Sequence, residues 1–354
     1  MRFLLFLLLP CSLLAQPNRF DAVLKKHPMF NGVVLLAGKG QIQWEQAYGY
    51  RTYADKVPLQ KTDIFELASV SKQFTAMIVM MLKDKGKLGF DDPVANYLKI
   101  PYPGITIRHL LTHTSGLPDY QAIMDQYWDK SKVAGNKEIL EYLNKYAPPK
   151  EFEPGTRYRY SNTGYVLLAS IAEKASGRNF IDLCREWIFR PLGMTSTNIR
   201  TLAEKAAVKN FAIGHIYVKE RNEFVRADSF PSANYTIWLG NRKGPGRISS
   251  TAQDLLKWDR ALYTTKLVKP ETLDEAFSSM RLNDGSFNPY GFGWELPDNT
   301  YYGKIVQHNG DNPGYHTQII RNIGRDKTII VLSNNAYAHF DVLLKELQEA
   351  LFQH

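Results

Sequence analysis

The chain is poor in cysteine: 354 residues carry only Cys11 and Cys184. Cys11 falls within a leader-like N-terminus, so its removal leaves Cys184 alone. No internal disulfide then forms, and stability must come from a packed core. Cys184 itself lies among Phe180, Ile181, Trp187 and Ile188, which suits a packed thiol better than a reactive one. No His/Cys group has metal-ligand spacing, so no metal site and no cofactor are expected. Internal repeats and low-complexity runs are missing, which excludes solenoids and disordered arrays. Beyond the first residues no apolar stretch is long enough to span a bilayer. Nor is there a strong block of one charge. The basic excess, net charge +9, is spread over Lys25-Lys26, Lys83 to Lys87 and Arg242-Lys243. Such a spread reads as a solvated basic surface, and no nucleic-acid partner is expected.

What is present fits an ordinary globular chain, 44% hydrophobic and 22% charged. The length suits one large domain or two intimate subdomains. Residues 1–15 read as a secretory signal: Arg2, an apolar run from Phe3 to Leu9, and Ala15 before Gln16. Cleavage after Ala15 is expected, although Leu13 fits the small-residue rule poorly. Pro10 speaks against a lipid anchor on Cys11. The mature chain, residues 16–354, is then secreted or periplasmic with no integral membrane segment.

Strand patterns occur at both ends of the chain. Gly32–Gly38 and Gln41–Tyr48 flank a Lys39-Gly40 turn and form a hairpin. Strand pattern returns at Tyr290–Glu295, Ile305–His308, His316–Arg321 and Thr328–Ser333. Short helices are expected at Phe20–Lys26 and Phe340–Phe352. Between Leu82 and Asn198 the pattern is mostly helical, including Tyr165–Lys174 and Phe180–Phe189, while 211–247 is polar, aromatic and irregular. The economical fold is α/β in the α+β sense: one antiparallel sheet built from 16–81 and 240–354, flanked by the terminal helices. A helical, loop-rich part, 82–239, is inserted into it.

Three stretches carry candidate chemistry. In Ser69-Val70-Ser71-Lys72, at the head of an apolar helix, the three-residue spacing puts hydroxyl and amine on one face. A serine is a poor nucleophile until a neighbour takes its proton. A lysine does so only when neutral, which burial and nearby cations promote. Taken alone this pattern is common, and a capping serine beside an exposed lysine is the better explanation of it. The second stretch, Tyr158-Arg159-Tyr160-Ser161-Asn162, can face a cleft with a phenol and an amide; an N-cap with a core tyrosine is the plain alternative. The third, His308-Asn309-Gly310-Asp311, follows the apolar Ile305-Val306. A glycine at a strand edge admits a substrate backbone, and a backbone N–H beyond it can share an oxyanion with that of Ser69. A Gly-rich hairpin turn is the alternative there. His109 and His113, four apart, read as packing or capping residues.

In this order the three stretches resemble the serine β-lactamase and penicillin-binding-protein superfamily, and its class C β-lactamase-related serine hydrolases in particular. The resemblance runs from about Phe30 to Ser333. It includes Ile107–Leu117 with its His-Thr-Ser-Gly-Leu, Pro191-Leu192-Gly193-Met194, Ile248–Leu255 and Tyr290–Trp294. It implies a β-lactamase/transpeptidase-like fold and acyl transfer. Ser69 would attack, Lys72 and Tyr160 would share base work, and Asn162 would position Lys72 and the substrate. The N–H groups of Ser69 and Asp311 would hold the oxyanion beside Gly310. His308 would stand where Lys-Thr-Gly relatives have lysine, binding a substrate carboxylate or orienting Tyr160. A neutral histidine anchors a carboxylate weakly, which argues against efficient β-lactam hydrolysis. The expected substrate is a small molecule or peptide bearing an amide or ester, a D-amino-acid-containing peptide being one such class, with an esterase or β-lactamase of the same family as the alternative. Segments 120–136 and 211–247 are expected to wall the cleft. A slowly deacylating β-lactam or peptidoglycan sensor and a degenerate structural relative are the competing readings. Oligomeric state is not legible.

Overall fold

Gly32–Gly38 is apolar at nearly every position because both faces of this strand are covered. The computed structural model describes residues 18–297 and 301–353; the leader read at residues 1–15 lies outside them. Five antiparallel strands form the central sheet, in the order Ile305–Asn312, Tyr315–Asn322, Lys327–Ser333, Gly32–Gly38 and Gln41–Tyr48. The two ends of the chain meet at its middle, where Val34 pairs with Val331 and Leu35 with Ile330. Side chains alternate between the faces. Val34, Leu36, Ile320, Ile329 and Val331 meet the two terminal helices, Arg19–Lys25 and Phe340–Phe352, through Phe20, Leu24, Leu343 and Leu347. Val33, Leu35, Val306, Ile319 and Leu332 face the opposite core.

That second core is organised by the helix Lys72–Asp84, buried from Lys72 to Leu82. A helix apolar on all sides has to be enclosed. The sheet covers one side, and the helices Ile107–Leu111, Asn136–Tyr146 and Asn162–Ser176 lie in the same cluster. Asn162–Ser176 starts earlier than its hydrophobic pattern indicates. The Ser161 hydroxyl caps it by accepting from Gly164 N, which places Asn162 in its first turn. Phe180–Leu183 runs on into a π-helical segment, Cys184–Phe189, with the Cys184 thiol buried and free. Among the described residues no helix is long and apolar enough to cross a membrane.

Two expectations need correction. Tyr290–Glu295 is not a strand. Tyr290, Phe292 and Trp294 are all buried, and the stretch turns at Gly293 (φ +79°). A Cβ on Gly293 would lie 2.9 Å from the Lys72 carbonyl oxygen, so the stretch packs directly onto the head of the central helix. Only Glu295 pairs with the sheet, exchanging backbone bonds with Gln307 at 2.8 and 3.1 Å. The segment 211–247, read as irregular, contains a short hairpin, His215–Val218 with Glu223–Arg226.

Candidate active site

Ser69 lies in a 3-10 turn, Ala68–Ser71, between the short strand Phe65–Glu66 and the central helix. Ala68 adopts φ +48°, the left-handed region that a residue with a Cβ enters at a cost. The edge strand Ile305–Asn312 and its neighbour Tyr315–Asn322 together hold the turn there. Thr317 Oγ1 donates to the Leu67 carbonyl at 2.8 Å, and a Cβ on Gly310 would stand 2.2 Å from that same oxygen. Gly310 is needed for this close approach. The space it leaves is therefore taken by the protein's own Leu67 carbonyl rather than by a substrate backbone, a correction to the sequence reading.

Lys72 is fully buried. Its Nζ lies 3.0 Å from Ser69 Oγ, 2.8 Å from Asn162 Oδ1 and 3.0 Å from the Pro245 carbonyl oxygen. Burial, and secondarily the charge of Arg242, hold its pKa well below 10.5; no carboxylate is among the groups that shift it. The three contacts are chemically unequal. Asn162 Oδ1 and the Pro245 carbonyl can only accept. An uncharged amine keeps two N–H donors for them and turns its lone pair to Ser69, the one partner able to donate.

The Tyr160 ring lies 4.7 Å from Lys72 Nζ. One edge of it reaches solvent, 38% of the residue being exposed. Desolvation raises the phenol well above 10, while its hydrogen bond with the Ser69 side chain pulls the other way. The His113 ring packs tilted against Tyr160 at 4.3 Å between ring centroids, and its Nδ1 accepts the Ser161 N–H at 3.1 Å. It thus packs and orders the Tyr160–Asn162 loop. His109 Nδ1 accepts from Thr106 N in a capping box.

His308 does not present a charge to the cleft. Its ring is fully buried, with Nε2 2.7 Å from the Tyr290 hydroxyl and Nδ1 2.6 Å from the Asn309 carbonyl oxygen. The Nδ1–H tautomer satisfies both: Nδ1 donates to the carbonyl and Nε2 accepts from Tyr290. Burial and then Lys72 push its pKa down to about 3, so it is uncharged at neutral pH. The expected carboxylate anchor is therefore absent from this position. The ring instead supports Tyr290, which packs edge-on against both His113 and Tyr160.

Asp311 lies on the same strand, one residue beyond Gly310. Gln307 bonds outward to Glu295, so odd-numbered residues turn their N–H groups to the free edge of the sheet. The Asp311 N–H shares that direction. Its carboxylate is mostly exposed and lies 3.6 Å from His316 Nε2. Ser69, Asn162, Asp311, Gln121, Tyr235 and Arg242 surround one small cavity of about 60 Å³. Gln121 and Tyr235 come from the two segments expected to wall the cleft. Arg242, read from sequence as surface charge, is buried and contacts the Tyr120 hydroxyl. Its sequence context gave no hint of this, and the Pro245 carbonyl carries no side-chain signal at all. Among the described residues no cluster of three or more His, Cys, Asp or Glu could hold a metal.

A serine and a buried lysine at the head of an enclosed helix, beneath an antiparallel edge strand, are the arrangement of a serine hydrolase. A family model described as Beta-lactamase matches residues 18–353, and the chain belongs to that family. Penicillin-binding protein 4* of Bacillus subtilis (strain 168) is 41% identical over 338 residues, 94% of this chain and 74% of that protein. A D-aminopeptidase of Gluconobacter oxydans (strain 621H) is 25% identical over 332 residues, 93% of this chain but 59% of its own length. An octameric penicillin-binding protein homologue from Pyrococcus abyssi superposes with a TM-score of 0.81 at 25% identity, covering 94% of this chain and 77% of that one. The fold is accordingly the β-lactamase/transpeptidase-like α+β fold of penicillin-binding proteins.

Proposed function

We propose that this protein hydrolyses an amide or ester through an acyl-enzyme on Ser69, with peptides containing D-amino acids as the substrate class. The observation that carries this reading is the triple contact of Lys72, which leaves its lone pair for the Ser69 hydroxyl. Ser69 Oγ attacks the carbonyl carbon as its proton passes to Lys72. The N–H groups of Ser69 and Asp311 receive the oxyanion. As the C–N or C–O bond breaks, the proton moves from Lys72 by way of the Tyr160 phenol to the leaving group. Water then attacks the ester by the same route in reverse, and Ser69 is released. Asn162 holds Lys72 through Oδ1 and has its amide nitrogen for a substrate carbonyl. His308 acts through Tyr290 as a positioning residue, and Gly310 seats the nucleophile's turn.

The names of the relatives, a penicillin-binding protein and a D-aminopeptidase, support a D-configured amide over a simple lipid ester. The leader read at residues 1–15 supports export, where such peptides are met. To test the reading, kcat/KM is measured for matched D- and L-alanyl p-nitroanilides and for an N-acylated D-Ala-D-Ala peptide. Turnover of at least one D-substrate, preferred over its L-counterpart and lost in Ser69→Ala, is expected. Equal rates for Ser69→Ala and wild type would overturn it. A second reading, a sensor that acylates once and deacylates slowly, is favoured if a β-lactam adduct forms and persists without turnover.

A further inference from the structure

In an antiparallel strand the N–H and C=O of one residue point the same way. Along Ile305–Asn312 those of Gln307, Asn309 and Asp311 therefore face the free edge of the sheet. Such an edge is where an extended peptide adds as a further strand. The chain closes most of it from within. Glu295 pairs with Gln307 through two backbone bonds. The residue next in register, opposite Asn309, would be Gly293, but its φ of +79° turns the chain away onto Lys72 and Gln73. The Glu295 carboxylate takes that place. It accepts the Asn309 N–H, and its Oε2 accepts from Gln307 Nε2 at 3.2 Å. The Asn309 carbonyl is taken by the His308 Nδ1–H at 2.6 Å.

Asp311 stays open. Among the described residues its N–H and C=O have no backbone partner at the edge, and it lines the cavity with Ser69. Past Asn312 the strand ends in a Pro313-Gly314 turn, where proline has no N–H to offer. A substrate strand laid antiparallel on this edge pairs with Asp311 through the residue that bears the scissile carbonyl. That carbonyl accepts the Asp311 N–H, and the same residue's N–H meets the Asp311 carbonyl. Chain direction then carries the leaving group toward Asn309 and the acyl part out past Asn312. Bonded pairs recur at every second residue. The second residue of a leaving group would thus fall opposite Asn309, where both backbone groups are already used. A peptide group desolvated there without a partner is penalised as an unmade hydrogen bond. The Glu295 charge also raises the pKa of Tyr158 and Tyr160, which sets it beside the catalytic loop.

We propose that Glu295 determines the length of the leaving group: by occupying the Asn309 edge it confines substrate pairing to Asp311 and favours substrates that release a single residue. The assignment rests on Ser69 as the nucleophile and on peptides as the substrate, and it narrows that class from the leaving side. In the sequence Glu295 was only the last residue of an expected strand.

The test is the initial product ratio from N-acetyl-D-Ala-D-Ala-D-Ala, read by mass spectrometry. Cleavage of the last peptide bond frees D-Ala and cleavage of the one before it frees D-Ala-D-Ala, so both leaving groups compete within one substrate. Wild type is expected to release D-Ala in at least about ten-fold excess. Glu295→Ala and Glu295→Ser, which free the Asn309 N–H, should lower that excess several-fold. Glu295→Gln keeps an acceptor oxygen and should keep the wild-type ratio. A residue that only packs would change both rates alike. Equal release of the two products by wild type, a ratio unmoved in Glu295→Ala and Glu295→Ser, or a ratio that moves as far in Glu295→Gln would overturn the proposal and leave the peptide reading standing. Release of neither product by wild type would overturn both. Hydrolysis of p-nitrophenyl acetate by wild type, and its loss in Ser69→Ala, reads the nucleophile separately.

Discussion

Lys72 and His308 are both bases whose pKa burial lowers, and each leaves a different signature in pH. For Lys72 the working form is the neutral amine, so activity should rise with pH through its lowered pKa. Arg242 contributes to that lowering. Replacing it by Gln should raise the Lys72 pKa and move the acid limb of kcat/KM to higher pH, whereas Arg242→Lys should leave the limb in place. A uniform loss of rate with an unmoved limb would mean that Arg242 serves only as packing. For His308 the sign concerns stability. With a folded pKa near 3, it binds no proton between pH 6.5 and about 3, but the unfolded chain does. Stability is therefore lost as pH falls through that window, by up to about 1.4 kcal/mol per pH unit from this one group. Chemical denaturation of wild type and His308→Gln from pH 7 to 4 should show a shallower decline in the variant; parallel declines would contradict it. Ser69 and Lys72 were legible in the sequence because a local three-residue spacing brings them together. Arg242 and the Pro245 carbonyl were not, because their burial is decided by contacts from distant parts of the chain. His308 was legible as a residue of interest but with the wrong electrostatics, since sequence shows a ring and not its enclosure.

Among the elements, the Ser69 turn and the edge strand act as one piece, joined where Gly310 lets the Leu67 carbonyl approach. A methyl group at Gly310 must push the turn or the strand aside. Gly310→Ala should cost about 1–3 kcal/mol of stability and lower kcat strongly, as urea denaturation and initial rates would show. An unchanged kcat would mean that the turn adjusts without moving Ser69. The hairpin 32–48 and the closing helix Phe340–Phe352 could be read from alternation and helical periodicity alone. Tyr290–Trp294 could not. Its aromatic–glycine alternation mimics a strand, yet Gly293 lets the chain turn against Lys72 and Gln73, Gly291 lets it approach the Ala276 carbonyl, and all three rings point into protein.

Across the whole molecule, the sheet separates two jobs. The terminal helices seal one face, and the nucleophile, base and cavity lie on or beside the other. Leu347→Ala, in the sealing layer, should therefore cost about 2–5 kcal/mol with kcat nearly unchanged well below the melting temperature. A matching loss of kcat would show that the two faces are coupled through the sheet. The separation explains why strands from both ends of the chain were recognisable as one sheet, while the cavity, walled by side chains from five or more segments, was not. The most direct test of the central claim is intact-protein mass spectrometry of wild type and Ser69→Ala after brief exposure to a penicillin and to an activated acyl ester. A mass increase equal to the acyl group in wild type, absent from Ser69→Ala, is the predicted result. An adduct of equal yield in both proteins would place the nucleophile elsewhere and contradict the account.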